Sequence, residues 1–276
     1  MFETLQYDNA VTKMRQFFKE EKGFTEVPTQ SRLSILAACE DPKTIGEFIW
    51  DGDNWPLPQT GQMWLEYELL NKPELEGVFC VSTSYRNEPN PVPGRHLKMF
   101  PMFEFESHGD FTDMLIMEEE LLDFLGFERP YEASYDNICE QYGISIIESD
   151  DEERMANDFS NVLSLKYFPQ RSQPFWNMKK NPINPEVSNK CDVILYGQET
   201  IGSAERSCDP DSMRKGFLEI SDGEYSNLLF DKFSKKRVMK ELDEYLNHDF
   251  FPRFGGGIGV SRMARAIKLN KEGKNG

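Results

Sequence analysis

Histidine and cysteine are scarce in this sequence: three histidines (His96, His108, His248) and five cysteines (Cys39, Cys80, Cys139, Cys191, Cys208) among 276 residues. So few histidines argue against a His-based metal centre. No two cysteines form a C-x-x-C pair and their number is odd, so reduced, mostly packed thiols are expected rather than a disulfide framework or zinc site. Basic charge is short as well. Lys and Arg total 31 against 48 Asp and Glu, a net charge of −17, the wrong sign for a surface that grips nucleic-acid phosphates, although a local basic patch is compatible with it. No apolar run approaches the ~20 residues of a membrane helix. The first eight residues also lack a basic stretch followed by an apolar one. A cytoplasmic location without membrane contact is expected.

What is present suffices for a core. Hydrophobic residues make up 38% of the chain and 21 residues are Phe, which excludes wholesale disorder. Val11, Met14, Phe17 and Phe18 have helical spacing, from about Asn9 to a stop at Gly23, and Phe24 to Val27 reads as a strand ended by Pro28. Residues 33–59 are turn-rich and irregular, and 61–71 read as a helix. Two β-like runs between Val78 and Ser107 flank Asn87-Glu88-Pro89-Asn90-Pro91-Val92-Pro93-Gly94, a segment with too much proline for helix or strand. A long hairpin with an extended tip is expected. Helices are predicted at 113–124, after the capping-box spacing of Ser149 and Glu152, and at 235–246, with Val238, Leu242, Tyr245 and Leu246 on one side. A last helix puts Val260, Met263, Ala264 and Ile267 inward. Residues 172–189 read as a loop and Val193 to Tyr196 as a buried strand. Antiparallel strands mixed with peripheral helices give an α+β fold.

Period two on the hairpin sorts its side chains. Leu97, Met99, Phe103 and Phe105 form a core face, and the other surface collects Arg86, Phe100, Glu104 and Glu106. A guanidinium, a ring and carboxylates suit a nucleotide: charge for phosphate, a face for the base, acceptors for Mg²⁺ or an amine. A salt-bridged sheet surface with one stray Phe is about equally compatible. Phe254 to Arg262, with Gly255, Gly256, Gly257 and Gly259, reads as a glycine-rich turn entering a helix, open to an anion or simply a flexible connector. Glu199 to Arg206 alone would pass for a polar turn.

Their order changes the weighting. Tyr85-Arg86-Asn87-Glu88, then Arg95-His96-Leu97 and Phe100, then Gly257-Ile258-Gly259-Val260-Ser261-Arg262 resemble motifs 2 and 3 of the class II aminoacyl-tRNA synthetases, and Phe24 to Pro28 resembles motif 1. Within the aspartyl/asparaginyl/lysyl branch the likeness is greatest to asparaginyl-tRNA synthetase, carried by Ala38-Cys39-Glu40, Thr60 to Glu66, Pro101 to Glu106, Gly197-Gln198-Glu199 with Arg206, and Pro252. The resemblance implies a six- to seven-stranded antiparallel sheet flanked by helices around an ATP site. It implies catalytic roles for Arg86 and Arg262, and ATP contacts from Arg86, Glu88, Arg95, His96, Phe100, Glu199, Gly257, Gly259 and Arg262. Glu199 would bind Mg²⁺, while Glu40, Gln62, Glu66 and Arg206 would hold the amino acid. Motif 1 implies a homodimer.

Departures narrow the expectation. Only eight residues precede the first predicted helix, so a single catalytic domain over 1–276 without an anticodon-binding domain is expected. Met99 stands where the family usually has Glu, and Arg253-Phe254 where His-Gly is usual, a change at the amino-acid pocket. The resemblance therefore points to an ATP-dependent, adenylate-forming ligase acting on aspartate or asparagine. Its most concrete form is the stand-alone asparagine synthetase related to asparaginyl-tRNA synthetase, with ammonia as acceptor. The alternatives are a paralogue charging a tRNA, a protein or a small amine, with tRNA disfavoured by charge, and a non-catalytic sensor of amino acid or adenylate.

Overall fold

The computed structural model describes residues 3–89, 91 and 97–275. Among these, an eight-stranded sheet runs in the order β1 (Thr25–Glu26), β4 (Gly77–Tyr85), β5 (Met99–His108), β10 (Arg253–Gly259), β9 (Gln198–Glu205), β8 (Val187–Leu195), β7 (Val162–Pro169) and β6 (Tyr131–Ser134). The six inner strands are antiparallel. The edge strands β1 and β6 pair parallel with β4 and β7, so the expected antiparallel sheet is extended by one parallel strand at each side. A separate hairpin joins β2 (Glu47–Trp50) to β3 (Asp53–Pro56). It lies in the stretch expected to be irregular. The turn is Asp51-Gly52, both at positive φ, the pairing that two-residue hairpin turns demand.

Helices α1 (Thr4–Arg15), α3 (Phe111–Phe124) and α9 (Val260–Asn275) contribute to one apolar layer against the sheet. Helix α1 starts five residues before the predicted Asn9 and continues as a wider turn over Gln16–Glu21, where Lys22 N–H reaches Phe17 O. That widening lets the adjacent Phe17 and Phe18 both turn inward. The Phe18 ring lies 5.1 and 5.0 Å from those of Phe103 and Phe105, and burying each such ring stabilises the fold by roughly 2–3 kcal/mol. Val260, Met263, Ala264 and Ile267 are buried as their spacing predicts. Leu97 and Met99 are not: both are exposed, because at that end β5 is paired with β4 alone and β10 begins its pairing only at Met102.

A second apolar cluster joins α2 (Gln62–Asn71) to α6 (Pro210–Glu219), α7 (Glu224–Phe233) and α8 (Lys235–Leu246). Helix α5 (Ser149–Asp158) is capped by Glu148, with Asp151 reciprocating, one residue before the predicted cap. Helix α4 (Tyr135–Tyr142) ends at Gly143 in the left-handed conformation. The glycine segment 255–259 is no connector but a central strand. The polar stretch from Gln198 is likewise strand β9, reached from β8 through Tyr196-Gly197, both at positive φ. All five cysteines are free and four are buried. Among the described residues no helix is long and apolar enough to cross a membrane.

Candidate active site

Directly paired residues in a sheet share a face. Cys80, Glu104, Gly257, Gly202, Asp192 and Leu165 therefore form one row across β4, β5, β10, β9, β8 and β7. This row looks toward the start of α2. Glu104 fixes that start: both its carboxylate oxygens accept the Gly61 N–H at 2.8 Å, and the Thr60 and Ser82 hydroxyls donate to it as well. Burial outweighs these donors and raises the Glu104 carboxyl above its ordinary value. Glu104 is thus an internal anchor, and the expectation that it offers an acceptor to Mg²⁺ or an amine is not met.

Over β10 the floor is bare backbone. A methyl built on Gly257 would meet the Met102 terminal carbon at 2.9 Å and Glu104 Cγ at 3.7 Å. Around this floor Glu40, Gln62, Arg86, Glu88, Phe100, Glu199, Gly257, Gly259 and Arg262 line a cavity of about 360 Å³. Arg86 lies at the end of β4, its N–H bonded to Lys98 O at 2.8 Å. Its guanidinium pairs with Glu40 and lies 5.8 Å from the Phe100 ring centroid. The Glu40 charge raises the affinity of Arg86 for its proton, and among the described residues its buried Nε has no partner. Arg262, in the first turn of α9, donates to Glu199 O at 2.5 Å. Arg95 and His96 lie outside the described residues.

The adjoining cavity, about 520 Å³, shares Glu40, Gln62, Arg86 and Glu199 with the first and reaches Glu66 and Arg206. Here the charges are buried in pairs. Arg206 grips Glu106 through Nε and one terminal nitrogen at 3.1 and 3.2 Å. Glu66 accepts from Arg253 at 2.7 and 3.2 Å, from Tyr245 Oη at 2.7 Å and from Asn177 at 2.7 Å. Burial alone would raise Glu66, but Arg253 and Arg206 outweigh it and hold the carboxyl below its ordinary value. Gln62 has its amide oriented so that Oε1 accepts from Arg206 at 2.6 Å and from Gly256 N–H at 2.8 Å. Glu66 is therefore fully buried scaffolding rather than an open substrate contact. The residue that holds it, Arg253, is outside the set expected from the motifs, and its only signal in the sequence is a departure from the family pattern. The Asn177 Oδ1, buried at the cavity wall, has no partner among the described residues.

At the other side of the row stand Glu199 and Asp192. A methyl on Gly202 would lie 2.9 Å from Glu199 Oε1 and 3.4 Å from Asp192 Oδ1, so two carboxylate oxygens converge above a glycine. Among the described residues no group of three or more His, Cys, Asp or Glu side chains could hold a metal. Lys190 Nζ already holds both Asp192 oxygens at 2.5 Å, so Glu199 is the more open carboxylate, and a Mg²⁺ ion at it would need phosphate and water oxygens to complete its shell. Asp192, on β8, lines the larger cavity and is absent from the motif-based set.

Comparison with known proteins decides the family. The family model described as tRNA synthetases class II (D, K and N) matches residues 2–272. The chain belongs to this family. Among curated relatives of this class II chain, the cytoplasmic aspartate--tRNA ligase of Mus musculus is 22% identical over 283 residues, covering 88% of this chain and 53% of the relative. The asparagine--tRNA ligase of Desulforamulus reducens is 31% identical over 112 residues, 40% of this chain and 24% of that one. The chain spans about half the length of the aspartate--tRNA ligase it matches. Among solved structures, asparaginyl-tRNA synthetase from Pyrococcus horikoshii with asparaginyl-adenylate superposes with a TM-score of 0.79 at 20% identity, covering 96% of this chain and 65% of that one. The Entamoeba histolytica asparaginyl-tRNA synthetase gives 0.74 at 19%, covering 95% and 63%. The shared α+β fold is the one implied by the motifs.

Proposed function

We propose that this chain is an ATP-dependent, adenylate-forming amino-acid ligase that activates aspartate and passes it to an amine, with ammonia, yielding asparagine, as the simplest acceptor. The observation that carries the reading is the convergence of Arg86, Phe100 and Arg262 over the bare Gly257 floor, next to the buried Arg206 pocket.

Phe100 would take the adenine face and Arg262 its other side or the γ-phosphate. The Nε of Arg86 would meet the α-phosphate, where charge accumulates as a carboxylate oxygen attacks phosphorus and pyrophosphate leaves. Mg²⁺ held at Glu199 would neutralise the phosphates. In the second step a nitrogen attacks the acyl carbon, the acyl–phosphate bond breaks and AMP departs; the extra proton goes to water. Gln62 and Glu40 would face the substrate's ammonium. Arg206, held in place by Glu106, would clamp the far carboxylate or amide of an aspartate-like substrate, whose geometry a guanidinium fork matches. The enzyme works by positioning two anions against each other and needs no covalent nucleophile. A homodimer built on α1 and β1 belongs to the same proposal. The net charge of −17 weighs against tRNA as the acceptor.

Purified protein incubated with aspartate, ATP, Mg²⁺ and ammonium is expected to release AMP and asparagine in equal amounts. Absence of amino-acid-dependent AMP across all twenty amino acids would overturn the ligase reading.

A further inference from the structure

The cavity beside Arg206 is far larger than aspartate requires: about 520 Å³, within the range of pockets that enclose drug-sized ligands. Its inner end, at Gln62, Asn177 and Arg206, is the amino-acid end. The row across the sheet shows where the rest lies. Beyond Gly202 the face passes onto Asp192 of β8 and Leu165 of β7, and the cavity follows it. There the wall is made by Tyr135, Ile146, Ile147, Leu165, Phe168 and Ile194. The backbone between α4 and α5 is tied in place by Ile147 N–H donating to Tyr135 Oη at 2.8 Å. This lobe opens on the point where Glu40, Arg86 and Glu199 meet both cavities, which is where the activated carbonyl would stand.

The charge on the lobe has one sign in excess. Asp41, Glu152, Asp192 and Glu224 line it against Lys43 and Lys190. Lys43 pairs with Glu224 at 2.6 Å, and Lys190 bonds both oxygens of Asp192 at 2.5 Å while lying 3.6 Å from the Phe168 centroid, so these two pairs cancel and the net excess is the charge of Asp41 and Glu152. An acid surplus attracts a cation and repels a phosphodiester chain. An apolar wall rewards buried carbon, and ammonia has none to bury.

We propose that this lobe is the acceptor subsite and that the preferred acceptor is a primary organic amine carried on an apolar arm. The inference rests on the adenylate-forming reading and narrows its second step. The ammonium form is drawn to the acidic mouth and loses a proton to water there. The neutral nitrogen forms the C–N bond as the acyl–oxygen bond to AMP breaks, and the second proton also leaves to solvent through the cleft.

The test compares ammonium, hydroxylamine, propylamine and phenethylamine at equal free-base concentration with aspartate, ATP and Mg²⁺, reading amide product by mass. Propylamine or phenethylamine should exceed ammonium at least tenfold in kcat/KM. Ile147→Trp, which fills the lobe, should raise KM for phenethylamine more than tenfold and for hydroxylamine less than twofold, and Ile147→Leu should restore the first value. Ammonium matching or exceeding every organic amine, or a variant that shifts all acceptors alike, would overturn the subsite. Aspartate-dependent pyrophosphate exchange, measured without any acceptor, separates this outcome from failure of the activation step itself.

Discussion

A methyl added to Gly255 and one added to Gly257 meet different surroundings two residues apart on β10. At Gly255 it would sit 1.7 Å from Glu106 Oε2 and 2.5 Å from Phe105 O, whereas at Gly257 it meets the flexible end of Met102. Gly255→Ala is therefore expected to destabilise by several kcal/mol, on the order of the larger single-residue effects, and to abolish soluble expression or lower Tm by more than 10 °C in thermal unfolding. Gly257→Ala should unfold near the wild-type temperature yet weaken ATP binding, since its methyl rises from the nucleotide floor. Arg86→Ala should fold and lose about 10²-fold or more in aspartate activation, a magnitude typical of losing one preorganised charge partner. Arg86→Lys should recover little, because an ammonium cannot present the Nε and terminal N–H together. Arg253→Ala strips the buried Glu66 of its main counter-charge, at a cost of about 3–5 kcal/mol, readable as a shifted urea midpoint. Most of these side chains are legible in the sequence, because fixed motif positions and a strand's period of two place Arg86, Phe100 and Arg262 on one surface. Glu104, Glu106 and Glu66 are legible as neighbours of the site but not as anchors. Only the three-dimensional partners, Gly61 N–H for Glu104, Arg206 for Glu106 and Arg253 for Glu66, show that their lone pairs are spent.

Among the elements, α3 carries a titratable group that the chemistry does not use. Glu118 is buried under the sheet, with the Ser203 hydroxyl donating to one oxygen while the other has no partner among the described residues. Burial pushes its carboxyl up to about 7. The folded state then holds a proton that the unfolded chain, titrating near 4.5, has given up. The stability contributed by the neutral acid is full below about pH 4.5 and falls as the pH rises through 7, by about 3 kcal/mol in all. Glu118→Gln should remove that slope and unfold at higher urea than wild type at pH 8; identical pH profiles for the two proteins would contradict the assignment. The elements that resist sequence reading share a cause. Strand β10 has glycine where a period-two pattern would need side chains, so it imitates a turn, and it is a strand because β5 and β9 pair with it on both sides. Hairpin β2–β3 is short and rich in aromatic and acidic residues, and its one local signal is Asp51-Gly52.

For the whole molecule, the sheet with helices on both faces follows from alternating hydrophobicity in the strands and 3.6-residue spacing in the helices. Its parallel edges do not, because strand order is a property of chain crossings and not of local pattern. The charge of −17 now has a particular meaning, since part of the acid surplus lines the larger cavity beside the proposed nucleotide site. Added salt up to 0.5 M should weaken a cationic amine acceptor by screening, seen as a KM that rises with ionic strength while aspartate-dependent exchange changes little. The central claim is that the folds of β4, β5 and β10 build an adenylate-forming site for an acidic amino acid. Its most direct measurement is ATP–pyrophosphate exchange with Mg²⁺ and each of the twenty amino acids. The account predicts incorporation of labelled pyrophosphate into ATP that depends on aspartate and is lost in Arg86→Ala; a folded wild-type protein that exchanges with none of the twenty would contradict it.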